Sequence, residues 1–269
     1  MRATFSVPRT DTELVGESWL NDGPTVVLLH AGVADRRSWY SLVPEVTDFA
    51  SVLAYDRRGF GESLASAEAF THLDDLLAVL DHLNIESAWL VGSSAGGKLA
   101  LEAAVEAPHR VEGVILIAPA VGGAPPTRDE DVDPETQRID VLLTRADERG
   151  DVDELNRLEV RLWLDGPRER EGRVSGSVRD LVFAMNKVAL INNVLESSES
   201  DVDTWSCLGE LAMPAVVACG EFDALHVIRR SEVVAGLIPG ATYVSLDGVA
   251  HLPYMENPVQ GGALIRNSI

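Results

Sequence analysis

The segment AWLVGSSAGGKLALEAAV, residues 88–105, sets two serines side by side between an apolar run and a helix-like run. A serine hydroxyl is a poor nucleophile at neutral pH. It needs a base to take its proton and donors to hold the oxyanion formed on attack. Small residues two before and two after a serine let the backbone double back on a tight strand-to-helix turn, which exposes the hydroxyl. For Ser94 those flanks are Gly92 and Gly96. For Ser93 they are Val91 and Ala95, and a β-branched valine fits such a turn badly. Ser94 is therefore the candidate nucleophile and Ser93 the spacer. The plainer alternative is a Gly/Ser turn with no chemistry, so the partners decide.

The base should be a histidine on a loop after a late strand. Among the six histidines, His251 lies in LDGVAHLPYMENP, just past the last apolar strand, with Gly248 and Pro253 flanking its loop. His72 and His82 fall on the polar side of a helical pattern and are expected to be solvated. His109 sits at a helix end, where capping is the expected role. His226 is a rival close to an acidic pair. His30 ends a strand and is expected to bond loop backbone. The acid that orients the imidazole should also sit at a strand's C-terminal end, where α/β sheets present their sites. Asp223, after AVVACG in GEFDAL, meets that requirement, and Glu221 is the alternative. Two N–H groups must hold the oxyanion. One should be that of Ala95, the residue after the nucleophile. The other should come from the loop AGVADRRSW, with Gly32 as donor and Val33 as alternative.

These residues need a scaffold. TVVLLH, SVLAYD, SAWLVG, VEGVILIAP, PAVVACG and TYVSLDG read as six strands buried on both faces. ATFSV and ELVGESWL read as weaker early strands. HLDDLLAVLDHL puts Leu73, Leu76, Leu77, Leu80 and Leu83 on one helical stripe. Strands alternating with helices imply a mostly parallel sheet covered on both faces, an α/β fold. Residues 121–203 break the rhythm. They hold no convincing buried strand, carry many charges and show apolar residues at helical spacing, so a helical insertion is expected there. Within it, Trp163, Leu164 and Met185 are candidates for core packing or an apolar pocket. Arg161 and Arg168 are candidates for a solvated helix face or for binding a substrate carboxylate.

The 269 residues include 22 basic and 43 acidic ones, a formal charge of −21. Phosphates would be repelled, which argues against nucleic acid as a partner and against docking on an anionic membrane. Cys207 and Cys219 make no disulfide framework and have no zinc-ligand spacing, so no metal and no cofactor is expected. MRATFSVPRTD has no apolar h-region, and no apolar stretch is long enough to span a bilayer. A soluble, cytoplasmic protein is the expectation.

LLHAGVADRRSW, YDRRGFGES, VGSSAGG, GEFD and GVAHLPYMENP together resemble the α/β-hydrolase superfamily over nearly the whole chain, in particular its esterase, enol-lactonase and cofactor-free haloperoxidase-like members. The resemblance implies a mostly parallel eight-stranded sheet with a helical cap over the site. It assigns residues 1–120 and 204–269 to the core domain and 121–203 to the cap. Ser94 would be nucleophile, His251 base and Asp223 its orienter, in the chain order of that class. Asp56, Arg57 and Gly59 match a loop that supports the site. Three departures stand out. The chain has HA where HG is more frequent, with glycine one place later. Ala95 replaces a larger residue, which leaves a less crowded floor. GGALIRNSI is a poor final helix, expected absent or truncated, because glycine costs helix stability.

The expected activity is hydrolysis of a small carboxylic ester or lactone through an acyl-enzyme. Relatives that form an alkyl-ester on an elbow aspartate are excluded by the serine. The alternatives are C–C bond hydrolysis of a dienoate-type diketone by the same triad, and a ligand-binding protein on the hydrolase fold.

Overall fold

The apolar runs form the middle of one sheet. The computed structural model describes residues 2–65, 69–192 and 202–269. Its strands are β1 (Arg2–Pro8), β2 (Glu13–Trp19), β3 (Thr25–Leu29), β4 (Ser51–Tyr55), β5 (Ala88–Ser93), β6 (Val111–Ile117), β7 (Ala215–Gly220) and β8 (Thr242–Leu246). Their order is β1-β2-β4-β3-β5-β6-β7-β8. The pairs β1/β2 and β2/β4 are antiparallel, and all later pairs are parallel. Alternate side chains enter opposite layers, as strand geometry requires. Val27 and Leu29 join the core on one face, Val26 and Leu28 the core on the other.

The helices are α1 (Val43–Val46), α2 (His72–His82), α3 (Ala95–Glu106), α4 (Pro134–Glu148), α5 (Val152–Val160), α6 (Ser177–Asn192), α7 (Thr204–Cys207), α8 (Leu225–Leu237), α9 (Pro253–Glu256) and α10 (Pro258–Arg266). Helices α2, α3 and α8 bury their apolar stripes on one face of the sheet, α1 and α10 on the other. None is long and apolar enough to cross a membrane, among the described residues. The chain leaves β3 towards β4 on one side and leaves β5 towards β6 on the other. The ends of β3 and β5 therefore flank a crevice at the point where the order reverses.

Among the described residues no strand lies between Ile117 and Ala215. The helices there start on side-chain caps. Asp133 accepts from the Thr136 N–H at the head of α4, and Asp151 from the Glu154 N–H at the head of α5. One set of their apolar residues, Ile139, Ala146, Leu158 and Leu162, packs on itself. Another, Val160, Leu164, Val182 and Met185, joins the core over the sheet.

Three expectations are corrected. β8 is the edge of the sheet, and only Leu246 of its residues is buried. His72 is buried at the head of α2, not solvated; burial and the charges of Arg57 and Arg58 hold its pKa well below the usual value. The final helix does form. The Asn257 side chain caps it through the Gln260 N–H at 3.1 Å, and Pro258 occupies its first turn. Its glycines are a packing device. A Cβ on Gly262 would collide with the Glu45 side chain of α1, and one on Gly261 would come within 2.9 Å of Leu42.

Gly262→Val is accordingly expected to destabilise the protein by about 1–3 kcal/mol through overpacking, although valine at an open helical site outranks glycine. Urea denaturation measures this. A stabilised variant would show that α10 is not pressed against α1.

Candidate active site

Ser94 links the end of β5 to the start of α3 with φ 52° and ψ −114°. Its N–H donates to the Ile117 carbonyl at 2.9 Å, and its own carbonyl accepts from Gly97, Lys98 and Ala120 at 2.9, 3.1 and 3.0 Å. Four backbone hydrogen bonds hold the turn. The flanking glycines have no room for a side chain. A Cβ on Gly92 would strike the Gly96 carbonyl, and one on Gly96 would strike the carbonyl of Leu29 in β3. Ser94 is half-buried while Ser93 is buried, in keeping with the flank argument.

Asp223 follows β7 and is fully buried. His251 lies in the loop between β8 and α9. The two side chains meet, with His251 Nδ1 2.7 Å from Asp223 Oδ2. An imidazole that donates from Nδ1 to a carboxylate keeps Nε2 as its acceptor. The other carboxylate oxygen accepts the Ala224 N–H at 2.8 Å, and the Cys219 thiol lies 3.5 Å from Oδ2. Burial and the Asp223 charge push the Cys219 thiol pKa up, so it stays protonated as a donor. Glu221, the alternative acid, is exposed and accepts the Gly248 N–H instead. His226 lies on α8 in a surface groove with Arg229, Arg230 and Trp205.

Gly32, Val33 and Ala95 are all half-buried, on the loop after β3 and at the first turn of α3. The β3 loop is anchored from below. His30 Nδ1 bonds the Ala31 carbonyl at 2.8 Å, and its Nε2 accepts the Arg57 N–H at 3.1 Å. The buried Arg57 guanidinium donates to the carbonyls of His30 and Ala31 at 3.1 and 3.3 Å. Burial and that guanidinium hold the His30 pKa well below the usual value, so it is a neutral brace. Asp56 accepts from the N–H groups of Arg36 and Glu62, both at 2.8 Å, and pairs with the Arg36 guanidinium. It ties the loop after β3 to the loop after β4.

The helical segment reaches both loops that carry Asp223 and His251. The Trp163 ring, in a π-turn over Arg161–Asp165, sits 4.5 Å from the His251 ring. Leu164 and Met185 are buried in the core. Arg168 is exposed and donates to the carbonyls of Glu221 and Asp223, both at 3.0 Å. Arg161 pairs with Glu135 and Glu171, each at 3.5 Å. Two residues that spacing did not single out also meet there. Arg173 and Glu256 are ion-paired at 2.5 Å. Only the motif containing MENP pointed towards Glu256, and nothing in the sequence pointed to Arg173.

The mostly parallel eight-stranded sheet covered by helices is matched by known proteins of one fold. The chain belongs to the alpha/beta hydrolase fold family, whose model matches residues 24–258. A proline iminopeptidase of Heyndrickxia coagulans is 24% identical over 269 residues, covering 90% of this chain and 89% of that protein. A thermophilic esterase from Thermogutta terrifontis superposes with a TM-score of 0.74 at 25% identity, over 99% of this chain and 97% of that one. The enol-lactonase from Burkholderia xenovorans LB400 superposes with a TM-score of 0.76 at 24% identity, over 95% and 96% of the two chains.

Positive φ on a side-chain-bearing residue costs about 1–3 kcal/mol, more than the about 0.5–1 kcal/mol entropic cost of glycine. Ser94→Gly is therefore expected to raise stability by about 1 kcal/mol in chemical denaturation. A variant less stable than the wild type would show that the turn is not strained at this residue.

Proposed function

We propose that the protein is a serine hydrolase of a small carboxylic ester or lactone. Ser94 is the nucleophile, His251 the base and Asp223 the residue that orients it. The observation that carries this reading is the 2.7 Å contact between His251 Nδ1 and the buried Asp223 carboxylate, which leaves the imidazole Nε2 as a proton acceptor. The strained, half-buried Ser94 at the order reversal supports it. So do the esterase and enol-lactonase names of the structural relatives.

In this mechanism His251 Nε2 takes the hydroxyl proton as Ser94 Oγ attacks the carbonyl carbon. The N–H groups of Gly32 and Ala95 receive the oxyanion, helped by the partial positive charge at the start of α3. Imidazolium then protonates the leaving alkoxide, and the acyl-enzyme forms. Water, deprotonated by His251, attacks the acyl carbon, and the imidazolium returns that proton to Ser94 Oγ as the carboxylic acid leaves. Asp223 keeps its charge throughout and stabilises the imidazolium. Residues 121–203, of which 193–201 lie outside the described residues, act as a cap on a core of residues 1–120 and 204–269. The packing of Ile139, Ala146, Leu158 and Leu162 on one another, apart from the sheet's core, supports that division.

Steady-state hydrolysis of p-nitrophenyl acetate tests the assignment. Ser94→Ala is expected to abolish turnover with the fold intact. Asp223→Asn is expected to lower kcat by on the order of 10⁴, since the amide favours the wrong imidazole tautomer. Wild-type rates in Ser94→Ala would overturn the nucleophile. A folded wild type with no ester or lactone turnover would favour the ligand-binding alternative.

A further inference from the structure

The turn that carries Trp163 and the loop that carries His251 are joined by one guanidinium. Asp165 follows Trp163 by two residues and is fully buried. Its carboxylate accepts the N–H groups of Gly172 and Val174 at 2.8 and 3.0 Å and pairs with Arg179 at 2.7 Å. This curls residues 165–174 into a closed loop and presents Arg173 from its end. Arg173 Nε donates to the Asp165 carbonyl at 2.6 Å, and Nη2 to the Leu164 carbonyl at 2.8 Å. The same Nη2 bonds Glu256 Oε2 at 2.5 Å, and Nη1 reaches the Gly248 carbonyl at 3.3 Å. The Glu256 side chain is buried, and its second oxygen accepts the N–H of Ala250, the residue before His251, at 2.8 Å. A planar guanidinium with five donors suits such a multiple bridge, and a lysine ammonium does not.

Resting on the reading of His251 as the base, we propose that Arg173 and Glu256 are positioning residues. They lock the Trp163 turn of the helical segment to the His251 loop, and so fix the imidazole in its working orientation. Nothing in the proton transfers requires either group. Both act through Ala250, Gly248 and the carbonyls of Leu164 and Asp165. Burial pushes the Glu256 carboxyl up to about 7, against the pull of the Ala250 N–H and Arg173. The other charge that raises it is Asp165, which Arg179 pairs. The sign follows. Glu256 takes a proton as pH falls through neutrality, and Arg173 then loses its counter-charge. The lock is closed above about pH 7 and loosened below it.

The test compares wild type, Arg173→Met, Glu256→Gln, the double variant and Arg173→Lys. Arg173→Lys keeps the charge and serves if Arg173→Met does not fold. Hydrogen–deuterium exchange is read over residues 161–174 and 248–252, and kcat and KM for p-nitrophenyl acetate are read from about pH 5 to about pH 8. Faster exchange confined to those two stretches is expected in every variant. At about pH 8 each single substitution is expected to lower kcat on the order of 10- to 100-fold with KM within about threefold, as a misplaced catalytic group does. The double variant should be no worse than the worse single one, because both break one bridge. Wild type and Glu256→Gln should converge near pH 5, where both side chains are neutral. Unchanged exchange in the two stretches overturns the lock whatever the activity. An unchanged kcat, or a kcat ratio that stays constant with pH, overturns its role on His251. If the wild type turns over no ester at all, the hydrolase reading fails by itself, and exchange alone decides whether the lock exists.

Discussion

A serine at φ 52° with backbone packed directly against backbone is the constraint on which the molecule turns. β5 must end where α3 begins, and α3 must lie close enough to β3 for Gly96 to touch the Leu29 carbonyl. No residue larger than glycine fits at 92 or 96. The strain of one residue is tolerable because the strand ends around it, Leu28 and Leu29 in β3, Val91 in β5 and Leu116 and Ile117 in β6, are buried and cannot relax. The same close approach brings the loop after β3 beside the start of α3, which is where backbone N–H groups are needed if Ser94 attacks a carbonyl.

The polar groups around the elbow are arranged to fix loops rather than to add stability. Arg36 is buried against Asp56 and Glu17, and Arg58 is buried against Asp75 at 2.7 Å. Ion pairs of this kind recover little more than their own desolvation, and their use is to set one geometry among several. Asp56 ties the loop after β3 to the loop after β4. His30 and Arg57 hold the β3 loop from beneath. Arg168 and Arg173 reach from the helical segment to the loops of Asp223 and His251 respectively. Each loop that meets at the site is thus held by at least one charged or aromatic side chain from another part of the chain.

Much of this was legible from sequence, and the reason differs from place to place. β3 through β7 are continuous apolar runs because both of their faces are covered, and such runs announce themselves. Gly92 and Gly96 select Ser94 over Ser93 by sterics alone. β8 misled because its apolar residues sit at a sheet edge, where composition alone does not report burial. His72 misled because it and Asp75 lie on the same buried face as Leu76, Val79 and Leu80, where Asp75 pairs with Arg58. The last helix misled because helix propensity speaks of isolated helices, while Gly261 and Gly262 gain close packing on α1. The Arg173–Glu256 pair was invisible. Its partners are 83 residues apart, and either side chain alone reads as surface charge.

The central claim is that Ser94 is an activated nucleophile. The most direct measurement is intact mass and peptide mapping after treatment with a fluorophosphonate, on wild type and on Ser94→Ala. The account predicts a single adduct on wild type, mapped to the peptide that holds Ser94, and none on the variant. No adduct on folded wild type, or an adduct that persists in Ser94→Ala, would contradict it.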